Sequence, residues 1–192
     1  MARTDWNWWT NGSWDTSTAY KVSSTRSLMG VAGDSRFLYG ASTFTNSRIY
    51  AQVMDRYGIW FQNFSFLGRW SQLNPIANGY QIKVASNPSP NYLNIAFLRW
   101  NAGVGTALAT TTISLTPTKN TWIPLRFSMT TELGIEITKL ERWTGTSWVT
   151  LYEYMDSSGS KISAAGYSGF AFNGGYGLIF CDDVKVMGLT VV

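Results

Sequence analysis

Helical periodicity is almost absent from this chain of 192 residues, while short β-branched and aromatic runs recur between Gly, Asn, Pro and Ser. These runs predict strands near 36–40, 47–54, 57–64, 79–85, 92–100, 107–115, 122–129, 134–142, 147–155, 168–172, 176–180 and 182–191. Side chains of a strand point to alternate faces, so a half-buried strand writes an apolar–polar alternation into the sequence. Ser47 to Met54 does this, with Ile49, Ala51 and Val53 on one face and Arg48, Tyr50 and Gln52 on the other. In Gly134 to Trp143 the same rule buries Ile135 and Ile137, and the turn Thr144-Gly145-Thr146 leads into a second run at Trp148 to Tyr152, a hairpin signal. Near the end, Val184 and Val186 alternate with Lys185, which puts both valines on the core side. Asn87-Pro88-Ser89-Pro90 is a firm break, because neither proline can donate to a ladder and each restricts its predecessor. The pattern predicts an all-β chain folded as an antiparallel β-sandwich.

The length suits one such domain. Residues 1–35 read differently, with Trp6, Trp8, Trp9 and Trp14 set among Asn, Thr, Ser and Asp. This segment is either an arm or the opening strand, and 36–192 is the sandwich. Four tryptophans so close together exceed what one opening strand can bury, and exposed aromatic surface of that kind marks contact with another protein chain. Trp6, Trp8, Trp9 and Trp14 are therefore the candidate partner-binding residues, through which the chain would meet copies of itself or other proteins.

Composition excludes several chemistries. There is no histidine and one cysteine, Cys181, so neither an internal disulfide nor a thiolate–imidazole zinc site can be assembled. Charged residues make up 14% of the chain, against about 25% in an ordinary domain. The fifteen Lys and Arg are strewn singly from Arg3 to Lys185, which makes a solvated surface and not a groove that tracks phosphates, so no nucleic-acid partner is expected. The start shows no basic-then-apolar leader and no stretch reaches eighteen apolar residues; the expectation is a chain made in the cytosol, without signal peptide or membrane span.

One long stretch marks a family. Tyr167-Ser-Gly-Phe-Ala-Phe-Asn-Gly-Gly-Tyr-Gly-Leu-Ile-Phe-Cys-Asp-Asp-Val-Lys-Val-Met-Gly-Leu189 reads as a glycine-rich strand followed by an aromatic-x-Asp-Asp-Val-x-Val strand. In the matching order before it come Phe44 to Val53, Asn120 to Met129 and the hairpin around Thr144-Gly145. Over about three quarters of the chain this resembles the concanavalin A-like, laminin-G-like jelly rolls. The resemblance implies a jelly-roll β-sandwich, a fold that carries lectins, glucanases, adhesion modules and virion proteins alike. Joined to a polar, aromatic-rich chain without leader or disulfide, it implies a non-enzymatic bacteriophage virion protein, a capsid decoration or a tail or fibre component. Its partners would be other virion proteins or itself, with a host-surface glycan as a further ligand and no cofactor. The alternatives are a lectin-like carbohydrate-binding module and a glycan hydrolase.

The hydrolase would use Glu132 and Glu136, spaced as in the Glu-x-Asp-x-Glu of related glycanases, but Gly134 replaces the middle acid. On one strand two residues four apart are separated by about 13 Å, far more than the roughly 5–5.5 Å of a retaining carboxylate pair. The expectation is two solvent-facing glutamates and no catalysis. Asp182-Asp183 points to opposite faces and cannot grip one calcium ion without a bulge, so no metal is expected. Of Trp60, Trp70, Trp100, Trp122, Trp143 and Trp148, which could stack on sugars, Trp70 stands between Gly68-Arg69 and Ser71-Gln72 and is the expected exposed, glycan-binding ring.

Overall fold

The computed structural model describes residues 8–17, 19, 27–55, 64–72, 77–86, 92–115, 120–173 and 179–190. Among them are twelve strands: β1 (Trp8–Ser17), β2 (Ser27–Tyr39), β3 (Ser47–Asp55), β4 (Phe64–Trp70), β5 (Gly79–Ser86), β6 (Tyr92–Asn101), β7 (Val104–Ser114), β8 (Trp122–Glu132), β9 (Ile135–Trp143), β10 (Trp148–Asp156), β11 (Tyr167–Asn173) and β12 (Ile179–Gly188). Every pairing is antiparallel, in the order β10-β9-β8-β3-β12-β2-β11-β4-β5-β6-β7, with β1 added to β2. The long strand β2 is the turning point. Its Leu28 and Met29 pair with β12, whereas Asp34 to Leu38 pair with β11. On either side of β2 the ladder lies as two layers, β10-β9-β8-β3-β12 (the β8 layer) and β11-β4-β5-β6-β7 (the β4 layer).

The core is the space between the layers. Ile49, Ala51 and Val53 of β3 are fully buried there, as their alternation requires, and Leu125, Phe127 and Met129 of β8 join them. Aromatic rings meet across the gap: Phe66 stacks on Phe127 at 5.9 Å and Phe97 lies 4.9 Å from Tyr154. Val184 and Val186 pack against this core and Lys185 is exposed. The expected strands 176–180 and 182–191 are one strand, β12, carrying a bulge between Asp182 and Lys185, with Asp183 at φ 49°. The extra residue keeps Cys181, Val184 and Val186 all turned inward.

Three expectations fail for identifiable reasons. Strand β4 was expected at 57–64 and runs over 64–70, residues 56–63 lying outside the described ones. All seven of its residues are buried, so neither face is polar and no alternation marks it. Ahead of residue 36, β1 and the first part of β2 are strands that Gly30 and Gly33 and the polar residues of β1 conceal; the 1–35/36–192 division falls inside β2. On β9 the phase is reversed. Glu136, Thr138 and Leu140 face the core while Ile135 and Ile137 are half-buried on the outer face. Register decides this: Leu140 stands opposite core residue Phe127, and a strand's two faces are locked together.

Where β11 pairs with β2, a Cβ atom on Gly169 would stand 1.8 Å from the Phe37 carbonyl oxygen. Gly169→Ala is accordingly expected to cost about 1–3 kcal/mol of unfolding free energy, as overpacking does. Gly159→Ala, with nothing within 4 Å of the added carbon, should stay within about 0.5 kcal/mol in the same urea titration.

Candidate functional site

The two glutamates singled out in the sequence do not share a strand. Glu132 ends β8, Ile135 opens β9 opposite it, and Leu133-Gly134 is the two-residue turn between them, at φ 49° and 75°. Both turn residues need positive φ, which glycine takes without strain, so the missing middle acid is a turn residue. Glu132 is exposed; Glu136 is buried between the layers, correcting the expectation that it faces solvent. There its Oε2 is 2.5 Å from Nη1 of the equally buried Arg69 and accepts from Thr131 Oγ1 at 2.7 Å. Arg69 spends its remaining donors on the carbonyls of Thr45 (2.9 Å) and Ile162 (2.5 Å) and on Thr131 Oγ1.

Directly opposite Glu136 across the β9–β10 ladder stands Asp156, also buried. It is met by Arg99 at 3.0 Å, by the Tyr80 hydroxyl at 2.8 Å and by the amide and hydroxyl of Ser158. The Ile162 amide in turn donates to the Tyr80 oxygen at 2.9 Å. Burial works to raise the Asp156 pKa, but the donors from Ser158, Tyr80 and Arg99 outweigh it and hold the carboxyl below its ordinary value. Burial, with the Asp156 and Glu136 charges nearby, pushes the Tyr80 phenol up and keeps it a donor. Both acids are thus clamped by arginines inside the sandwich, where they bind the two layers and the 157–166 loop together.

Trp70 is a core ring, 1% exposed, which overturns its expected exposure. With Leu38, Leu67, Ala77 and Ala171 it forms a second cluster on the far side of the β4 layer, flanked by Trp100 and Tyr167. Arg36 lies over both indoles, at 5.4 Å from the Trp70 ring and 5.8 Å from the Trp100 ring. The neighbouring Gly68-Arg69 gave the wrong signal because Arg69 itself is turned inward, to Glu136. Trp6 lies outside the described residues; Trp8, Trp9 and Trp14 belong to β1, whose backbone pairs with β2.

The outer face of the β8 layer is different. In β3, β8, β9 and β12 it carries Tyr50, Arg126, Glu141 and Lys185 in one cross-strand row, with the cross-strand pair Trp143 and Trp148 beside it. Trp148 meets Tyr50 edge-on at 5.9 Å and Trp143 at 5.5 Å. The Arg126 guanidinium covers one face of the Trp148 ring at 4.4 Å and grips Glu141 with two bonds, 2.5 and 2.9 Å. That grip, against the opposing effect of burial, lowers the Glu141 pKa, with the Lys139 and Arg48 charges assisting. Gln52 donates to the Tyr50 hydroxyl at 2.7 Å and Lys185 lies 5.3 Å from its ring. Burial and the Asp183 charge raise the Tyr50 pKa, so it remains a neutral phenol at physiological pH. The rings are half-buried and fixed in orientation by these contacts, leaving an aromatic platform bordered by hydrogen-bonding groups.

Sequence reasoning put Tyr50 on the outer face but did not assemble this site. Two signals were present: tryptophans on both sides of the Thr144–Ser147 turn, which a hairpin brings face to face, and Trp122, Pro124, Arg126 and Ser128 alternating with core residues. Asp182 accepts from the Asp183 amide at 2.7 Å, Asp183 pairs with Lys185, and among the described residues no three acids, thiols or imidazoles cluster as metal ligands.

The arrangement of strands is that of a known fold. A carbohydrate-binding module, CBM66 from Bacillus subtilis, superposes with a TM-score of 0.59 at 15% identity, over 94% of each chain. The exoplasmic/lumenal domain of VIP36 in a calcium- and mannose-bound form gives 0.67 at 12% identity, over 97% of this chain and 84% of that one. The chain has the concanavalin A-like jelly-roll fold. An enzymatically active domain of tailspike protein 2 from bacteriophage CBA120 matches at 0.59 and 12% identity, over 96% of this chain but 29% of the tailspike chain. Scans against family profiles and curated proteins find no match.

The clamp yields a stability test. Glu136→Leu leaves Arg69 buried and unpaired and should cost about 3–5 kcal/mol, whereas adding Arg69→Met should recover part of that loss. Glu132→Ala should change stability by less than about 0.5 kcal/mol. Because the Asp156 pKa is depressed on folding, its contribution is present above the unfolded value near 3.8 and is lost as pH falls through the folded one. Urea titrations of wild type and Asp156→Asn from neutral to acid pH should therefore converge below pH ~3.8.

Proposed function

We propose that this protein is a non-catalytic glycan-binding domain whose ligand lies on the outer face of the β8 layer, against Trp148, Trp143 and Tyr50. The observation that carries this reading is the aromatic platform itself. Indole and phenol rings present flat apolar surface, and the C–H face of a pyranose gains by leaving water against it. Hydroxyls at the ring edge then meet Arg48, Gln52, Ser128 and Lys185 around the platform, the mixture of apolar area and a few placed polar groups typical of small-ligand sites. Contacts that already hold the rings reduce the ordering cost of binding. The likeness to CBM66 and to the mannose-bound VIP36 domain supports the reading at the level of fold. The absence of catalysis is part of the proposal: Glu132 and Glu136 stand apart, one exposed and one clamped by Arg69.

A second reading places such a domain in a bacteriophage particle, as a tail or decoration component that meets a host-surface glycan through the same face. The tailspike likeness favours it, and so does the aromatic-rich N-terminal segment as a contact with other virion proteins or with copies of the chain.

Affinity electrophoresis against a panel of soluble polysaccharides tests the main reading. At least one glycan should retard the wild-type protein, and Trp148→Ala should weaken that binding about tenfold or more, a loss of roughly 1.4 kcal/mol, with the melting temperature little changed. Reducing-sugar assays on the retarding glycan should stay flat. Binding that survives Trp148→Ala would move the site elsewhere, and sustained sugar release would make the protein an enzyme.

A further inference from the structure

The aromatic face carries four cations among the described residues: Arg48, Arg126, Lys139 and Lys185. Three are matched, Arg126 to Glu141, Lys139 to Glu153 at 2.6 Å and Lys185 to Asp183 at 3.1 Å. Arg48 is not. Its Nε donates to Ser128 Oγ at 3.0 Å, and among the described residues no carboxylate stands within ion-pair distance of it. The remaining acids of this face are remote. Asp182 is opposite Gln52 and Glu132 lies at the far end of β8, each four strand positions, about 13 Å, from the Arg48–Ser128 pair. Arg48 stands two residues from Tyr50 on the same face of β3, about 7 Å along the strand, at the flank of the platform.

We propose that Arg48 is the specificity residue of the glycan site and that the preferred ligand is a uronic-acid polysaccharide. The proposal rests on the glycan-binding reading above and adds the class of sugar. A hexuronate carries its carboxylate as an equatorial group in the mean plane of the ring. With the sugar ring flat on Trp148 and its edge toward Tyr50, which meets that indole edge-on, the carboxylate projects sideways, toward the flank that Arg48 occupies. The bond to Ser128 fixes the guanidinium by Nε and leaves Nη1 and Nη2, two donors whose spacing suits a carboxylate. A neutral hexose has a hydroxymethyl group at that position and offers one uncharged acceptor. Arg126 cannot take this role, because Glu141 holds its Nε and Nη2 and the Trp148 ring covers its face.

The test compares oligogalacturonate with its carboxyl-reduced counterpart by isothermal titration, on wild type, Arg48→Gln, Arg48→Lys and Trp148→Ala, each checked for an unchanged melting curve. Wild type should bind the acidic oligomer about fivefold to tenfold more tightly than the neutral one, the scale of a partly exposed charge-assisted bond. The preference should shrink when salt is raised from about 0.01 to about 1 M, which cuts the Debye length from about 30 to about 3 Å. Arg48→Gln should abolish the preference by weakening the acidic oligomer more than the neutral one, Arg48→Lys should keep part of it, and Trp148→Ala should weaken both ligands. Equal wild-type binding of the two oligomers, or a preference that persists in Arg48→Gln, overturns the proposal and leaves the glycan reading standing. Failure of wild type to bind either oligomer overturns the uronate assignment, and retention of both by Trp148→Ala overturns the platform reading itself.

Discussion

The ion pair between Arg69 and Glu136 is the contact on which one end of the sandwich depends. Neither side chain reaches water, and a charge in that position is tolerated only when it is paired and hydrogen-bonded, as Glu136 is through Oε2 while its Oε1 has no partner. Arg69 meets the condition by reaching Thr45 before β3, Thr131 on β8, Glu136 on β9 and Ile162 beyond β10. One residue of the β4 layer thereby fixes four segments, three of them in or beside the opposite layer. Its neighbour in space, Asp156, lies directly across the ladder from Glu136, where two like charges would repel; a second arginine, Arg99, removes that conflict.

Turning Glu136 inward has a consequence on the other side of the strand. Side chains alternate, so with Glu136, Thr138 and Leu140 in the core, Lys139, Glu141 and Trp143 must point out. They meet Arg126 and Tyr50 from the neighbouring strands and Trp148 from the hairpin, and the aromatic platform results. The two outer faces of the sandwich are therefore unlike. That of the β4 layer is closed in part by Leu38, Leu67, Trp70 and Ala171, while that of the β8 layer keeps its rings half-exposed within a lattice of ion pairs.

How far the fold could be read in advance varied with the strand. Where one face is buried and one solvated, as in β3 with Ile49, Ala51 and Val53 against Arg48, Tyr50 and Gln52, alternation located the strand and its inward side correctly. The Thr144–Ser147 turn was likewise legible, because its residues bond locally, Thr144 to Ser147. In β4 both faces are covered and the signal vanishes. On β9, Ile135 and Ile137 pointed to the wrong side, since a buried glutamate becomes acceptable only once Arg69, distant in sequence, arrives beside it. Trp70 failed in the same way: its polar neighbours describe the chain around it, not the cluster that covers it.

The sequence alone specified the class of structure, an antiparallel sandwich, because period-two patterning and turn chemistry are local properties written residue by residue. It also determined what chemistry was missing, since a chain without histidine and with a single thiol carries those exclusions into any fold. Pairing in three dimensions settled which face of β9 is inside, that Trp70 belongs to a core, and that Tyr50, Arg126, Trp143 and Trp148 form one surface. Those outcomes depend on pairs brought together across the layers and the ladder, Arg69 with Glu136 and Tyr50 with Trp148, and contacts between residues so far apart in the chain leave no periodic trace in it.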